Sequence, residues 1–153
     1  MPRLEDVYEK FGFAAEAAQL LETELGTMLL IAGAVDASLI NNPDPARARE
    51  LLSFINKQTL GQLLRSLHRT TDSLDALETQ LNKALVERNR LFHSFYRQHN
   101  FRRNSDDGRL LMLQDLESIH STILDAYKAV MLLQGIDLDK VETGVLPGIQ
   151  VPI

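Results

Sequence analysis

The sequence predicts an all-α protein: an antiparallel four- to five-helix bundle followed by an irregular C-terminal tail. Three observations predict it. Apolar residues recur at alternating steps of four and three over three long stretches. No stretch alternates apolar and polar residues at period two for long enough to make a sheet. The chain has no tryptophan and only 6% aromatic residues, which suits helices packed on Leu and Ala.

Val7, Phe11, Ala14, Ala18, Leu21, Leu25, Met28 and Ala32 form the seam of a long first helix, roughly residues 5 to 34. Asn41-Asn42-Pro43-Asp44-Pro45 breaks it. A short helix follows over 46–55, with Asp44 as its cap and Pro45 at the first helical position. Another begins near Lys57 and runs to about Arg69. Thr71 or Asp72 can cap a second long helix, whose seam reads Leu74, Leu77, Leu81, Ala84, Arg88, Leu91 and Phe95. The polar segment Asn104 to Gly108 is expected to be a loop. The last long helix carries Leu113, Leu116, His120, Ile123, Tyr127 and Val130, and Gly135 ends it.

One domain is expected over 1–135, with 136–153 as an irregular tail. The segment 145–153 is too apolar for a solvated linker, and Pro147, Gly148 and Pro152 exclude a helix there. It is expected to lie extended on its own bundle or on a partner subunit. There are no cysteines, so disulfides, zinc–thiolate sites and cysteine nucleophiles are excluded. No apolar region follows the first residues, and the longest apolar run, Met28 to Val35, is too short to span a bilayer. A cytoplasmic protein with no membrane partner is expected.

The net charge of −5 is unevenly spread. Between Lys83 and Arg103 there are six basic residues and one acid, Glu87. That segment carries +5 against −10 for the remainder, and local sign decides where a phosphate backbone would sit.

Two polar residues interrupt apolar seams, Arg88 and His120. An unpaired buried guanidinium is costly, so Arg88 needs a carboxylate, a wet cavity or a subunit interface. An acid on the first helix, Glu16, Glu22 or Glu24, would meet that need. His120 on its seam reads as a satisfied core residue. Arg88 has company, however. Asn89 and His93 are four residues apart and share a helical face, and the Arg88 side chain can swing towards the same space. Arg offers a forked donor to phosphate oxygens, His moves protons near neutral pH, and Asn can orient the ring or the substrate. No metal ligand cluster is apparent, and no cofactor is expected.

Glu87-Arg88-Asn89-Arg90-Leu91-Phe92-His93-Ser94-Phe95-Tyr96 resembles the signature of HEPN domains: an Arg, a polar residue, then a His about five positions on, within an all-α bundle. Phe11-Gly12-Phe13-Ala14 and Thr59-Leu60-Gly61 are similar to segments of small bacterial HEPN-like proteins. The resemblance implies a metal-independent endoribonuclease working as a homodimer that brings two motifs to one cleft. It implies roles in toxin–antitoxin pairs or defence, with a cognate antitoxin or nucleotidyltransferase as partner. Other members are non-catalytic adaptors, binding modules or regulatory partners. One toxin branch carries a modified Tyr two residues after the His; here that position is Phe95, and the Tyr follows at Tyr96. On this reading Arg88, Asn89 and His93 are catalytic. Lys83, Arg90, Tyr96, Arg97, Arg102 and Arg103 are the candidate RNA-binding residues. RNA would be cleaved by attack of its 2′-OH, leaving a 2′,3′-cyclic phosphate and a 5′-OH, and DNA would be spared.

Overall fold

The computed structural model describes residues 1–36, 38–59, 61–63, 65 and 75–140. Among them every regular element is helical: α1 (Leu4–Asp36), α2 (Pro45–Asn56), α3 (Asp75–His93), a short α4 (Phe95–His99), a 3-10 turn (Asn100–Asn104) and α5 (Asp106–Leu133). The all-α bundle expected from periodicity is what forms. The expected caps at Thr71 or Asp72, and the apolar tail segment 145–153, lie outside the described residues.

Local signals set several boundaries. Asp44 accepts hydrogen bonds from the amides of Ala46 and Arg47, and Pro45 occupies the first turn, where a missing N–H costs nothing. Thr59 and Gln62 exchange side-chain-to-amide bonds, a capping box that opens the helical turn at 61–63. Ser105 caps α5 by accepting from the Gly108 amide. At the other end of α5, Gly135 has φ +81°. The Ile136 amide reaches the Met131 carbonyl and the Gly135 amide the Leu132 carbonyl, the paired bonds of a Schellman ending.

The core joins Val7, Ala14, Ala18, Leu21 and Leu25 of α1 to Leu81, Ala84 and Leu91 of α3 and Phe95 of α4. Met112, Leu116, Ile119, Ile123, Ala126 and Val130 of α5 complete it. Helix α2 runs against α1. A Cβ on Gly26 would lie 3.3 Å from Ile55, and one on Gly33 3.0 Å from Leu51. Two glycines seven residues apart therefore cut a shallow channel for α2.

Helices α3 and α4 also run against α1, with Glu22 meeting Arg88 of α3 and Tyr8 meeting Tyr96 of α4. Helix α3 runs against α5 too, with Arg90 meeting Asp115. The consequence is that α1 and α5 are parallel neighbours. Arg109 Nε donates to the Pro2 carbonyl at 2.7 Å, Lys10 pairs with Glu117, and Gln134 Nε2 reaches Glu24 Oε2 at 3.2 Å.

Three expectations are corrected. The α5 seam is Met112, Leu116, Ile119, Ile123, Ala126 and Val130, so Leu113, His120 and Tyr127 flank it, half-buried. Leu116, Ile123 and Val130 belong to both readings, which is why the period alone could not separate them. The second long helix does not run unbroken into Phe95: Ser94 interrupts it, and Phe95 enters the core from α4. Gly108 is not in a loop but in the first turn of α5. A Cβ there would lie 2.1 Å from the Arg102 carbonyl oxygen, so glycine lets the 3-10 turn fold back onto the helix start.

Candidate functional site

The last two turns of α3, with α4 and the 3-10 turn behind them, carry nearly all the residues singled out by sequence. Leu81, Ala84 and Leu91 bury one side of α3. That fixes Arg88 at the margin facing α1, and leaves Asn89 and His93 exposed.

The Arg88 guanidinium is held on three sides. Its Nε donates to Glu22 Oε1 at 2.9 Å, its Nη1 donates to Asn89 Oδ1 at 3.2 Å, and its Cζ lies 5.0 Å from the Phe92 ring centroid. Glu22 is thus the acid that the seam position called for. Arg88 and Glu22 remain 21% and 28% exposed, so the pair is partly solvated and keeps contact with water. His93 ends α3 one turn beyond Asn89. Its carbonyl accepts from Arg97 Nη2 at 2.7 Å, whereas its imidazole makes no hydrogen bond among the described residues. Arg88 and Asn89 are therefore joined directly, and His93 shares the Asn89 face.

Arg90 has a different setting. Its two terminal nitrogens each bind one oxygen of Asp115 at 2.7 Å, and Nη2 also reaches Glu87 Oε2 at 2.7 Å. The bidentate fork is the strongest arrangement open to an Arg–carboxylate pair. It pushes the Arg90 pKa up and, led by the same hydrogen bonds, holds the Asp115 carboxyl below its usual range. Asp115 Oδ2 also lies 2.6 Å from His99 Nε2, and Arg102 Nη1 lies 3.1 Å from His99 Nδ1. Arginine can only donate, so Nδ1 is the acceptor and Nε2 carries the proton given to Asp115. His99 is 5% exposed. Glu87, Arg90, Asp115, His99 and Arg102 make a continuous chain that ties α3, α4 and the 3-10 turn to α5.

Of the candidate RNA-binding residues, Arg90 is thus held by two carboxylates, and Arg102, though exposed, has one nitrogen on His99. Arg103 Nη2 donates to the Tyr8 hydroxyl at 2.9 Å, and Arg97 is exposed on its backbone contact. Tyr96 stacks on Phe11 at 5.2 Å, and burial raises its phenol pKa. Lys83 stands apart, on an open groove of about 530 Å³ shared with Thr79, Asn82, Val86, Glu87 and Thr122. His120 accepts from Lys10 Nζ at 3.1 Å; burial first, and the Lys10 ammonium second, hold its pKa below the usual value.

Sequence reasoning missed Asp115 and His99. They come together across 16 residues of chain from separate helices, and spacing within one helix cannot report such a meeting. The available signal was Asp115 itself, an acid between Leu113 and Leu116 near the α5 seam.

No protein-family model, curated protein or solved structure matches this chain. Among the described residues no group of three His, Asp or Glu side chains could hold a metal ion, and no helix is long and apolar enough to cross a membrane.

Proposed function

We propose that this chain is a HEPN-type, metal-independent endoribonuclease acting as a homodimer. The observation that carries the reading is the exposed His93 imidazole one turn from Asn89, whose amide is gripped by a pre-oriented Arg88. Glu22 holds one edge of the Arg88 fork, and Nη2 makes no hydrogen bond among the described residues. An Arg fixed in this way can receive a phosphate oxygen without first ordering itself.

In the reaction His93 transfers the proton of the ribose 2′-OH as the oxygen attacks the adjacent phosphorus. Arg88 stabilises charge on the non-bridging oxygens, and the 5′-oxygen leaves. Attack needs a base and departure an acid. One His93 supplies one of these roles, and a second copy of the motif across a two-fold axis supplies the other. This is the reason to pair the chemistry with a dimer.

The Arg88–Glu22 pair favours a second reading, a non-catalytic helical adaptor in which Arg88 joins α3 to α1 and nothing more. Purified protein incubated with single-stranded RNA in EDTA separates the two. The ribonuclease yields fragments ending in 2′,3′-cyclic phosphate, and His93→Ala loses them while keeping the parent melting temperature. An intact RNA pool with the parent protein leaves the adaptor.

A further inference from the structure

Phe92, the residue before His93, belongs to a surface cluster of aromatic rings. Tyr8 is 47% exposed, and Phe92 and Tyr96 are each 40% exposed. These rings are not loose. Phe11 stacks on Tyr96 at 5.2 Å and meets Phe92 edge-on at 6.4 Å, while Tyr8 meets Tyr96 edge-on at 6.4 Å. Buried Phe95 supports Tyr96 from within at 5.1 Å. Cations frame the group: Arg88 lies over Phe92, and Arg103 donates to the Tyr8 hydroxyl. Arg97 is exposed one residue beyond Tyr96. From Arg88 to Ser105 the sequence contains no Asp or Glu.

Apolar residues alone would make this face ambiguous. The combination narrows it, because flat rings held in place and edged by Arg match what unpaired bases and their phosphates require. Every base has a π-face that stacks on an aromatic side chain, and its backbone needs positive charge within reach. A base-paired helix hides those faces.

We propose that Tyr8, Phe92 and Tyr96 form a stacking platform for single-stranded RNA, with Arg97 and Arg103 as its phosphate contacts. Tyr8 and Phe92 thereby join the site as binding residues. The platform rests on the reading of His93 as acting on RNA, since it delivers the strand to that residue. The Arg103–Tyr8 bond couples the two functions of the surface by fixing a phosphate-binding group to the edge of a stacking ring.

The test is binding rather than cleavage, in the His93→Ala background so that no strand is cut. The probe is a fluorescein-labelled oligouridylate of about 12 nucleotides in EDTA, compared with an RNA duplex of the same length by fluorescence anisotropy. Tighter binding of the single strand is expected. Tyr8→Leu and Tyr96→Leu should each weaken it about tenfold, whereas Tyr96→Phe should stay within about twofold, because the ring rather than the hydroxyl stacks. Arg103→Gln should flatten the salt dependence by roughly one unit of logarithmic slope. Tyr8→Leu keeps the test decisive where Tyr96→Leu lowers the melting temperature, since Tyr8 is the more exposed ring. Equal affinity for strand and duplex, or unchanged affinity in Tyr8→Leu, overturns the platform. So does loss of self-association in the Leu variants with RNA affinity intact, which would make the face a protein–protein surface. Oligouridylate binding that follows this pattern in a protein without nuclease activity keeps the platform and removes the catalytic reading. Cleavage that is indifferent to Tyr8 and Tyr96 does the reverse.

Discussion

Arg88 and Arg90 stand two residues apart on α3, in opposite circumstances. Arg90 spends both ends of its fork on Asp115, adds Glu87, and anchors a chain that runs on through buried His99 to Arg102. Arg88 gives one nitrogen to Glu22 and another to Asn89, and the exposed His93 lies one turn beyond Asn89. The two regions share composition and differ in closure. A saturated network fixes backbone; a half-satisfied one beside it is what a ligand can complete. The pair teaches that a basic stretch read from sequence divides into charges already answered and charges still available.

The comparison breaks most sharply at His93. On the catalytic reading, His93→Ala lowers RNA cleavage on the order of 10²–10⁴-fold with an unchanged melting temperature. A comparable fall in both would place His93 in the structural class with His99.

Asp115→Ala comes next. It strands Arg90 and His99 together, and should cost about 2–4 kcal/mol in denaturant unfolding, below the full cost of a buried pair because Arg90 and Asp115 both keep some water contact. Asp115→Asn sharpens the same point through pH. The Asp115 pKa is held below 3.8 in the folded protein, chiefly by its Arg90 bonds. Its stabilising share is therefore complete above that value and is lost as pH falls through the lower, folded pKa. The variant should be less stable at neutral pH and lack that acid-side portion of the decline.

Arg88→Ala should cost on the order of 1–2 kcal/mol, because its pair with Glu22 is partly exposed. Arg88→Lys should recover part of that stability without restoring cleavage, since an ammonium lacks the planar fork. Stability and cleavage recovering together would erase the distinction between Arg88 and Arg90.

The smallest effect concerns His120, which belongs to neither region and serves as a control. Its folded pKa lies below the ordinary 6.5, so acidification through that value protonates the unfolded chain first and lowers stability. His120→Gln should remove that shallow slope between pH 7 and 5 in thermal melts while leaving RNA cleavage intact.

How much of this was written in the sequence depends on whether the cause is local. The Asp44–Pro45 start of α2 and the Gly135 end of α5 were readable because caps act within a few residues. The α1 seam was readable because many apolar positions repeat one register. The α5 register was ambiguous because Leu116, Ile123 and Val130 satisfy two adjacent stripes. The break at Ser94 was hidden because Leu91 and Phe95 keep a helical step across it. At the candidate site, the Arg88–Asn89–His93 grouping follows from helical spacing, and the need for an acid on α1 follows from desolvation. The fate of Arg90 does not, because Asp115 approaches from another helix.

The parallel pairing of α1 and α5 bears on how the chain folds. Arg109 meets Pro2 across 107 residues, and His120 meets Lys10 across 110. Most helical bundles fold quickly because neighbours in sequence are neighbours in space. Here the central interface cannot form until a loop of that length has closed, and the entropy lost in closing it precedes any gain from burial. Refolding should accordingly be slower than helix content suggests. Substitutions of core residues on α1 and α5, such as Leu21→Ala or Ile119→Ala, should slow folding more than equally destabilising changes at Leu51 on α2.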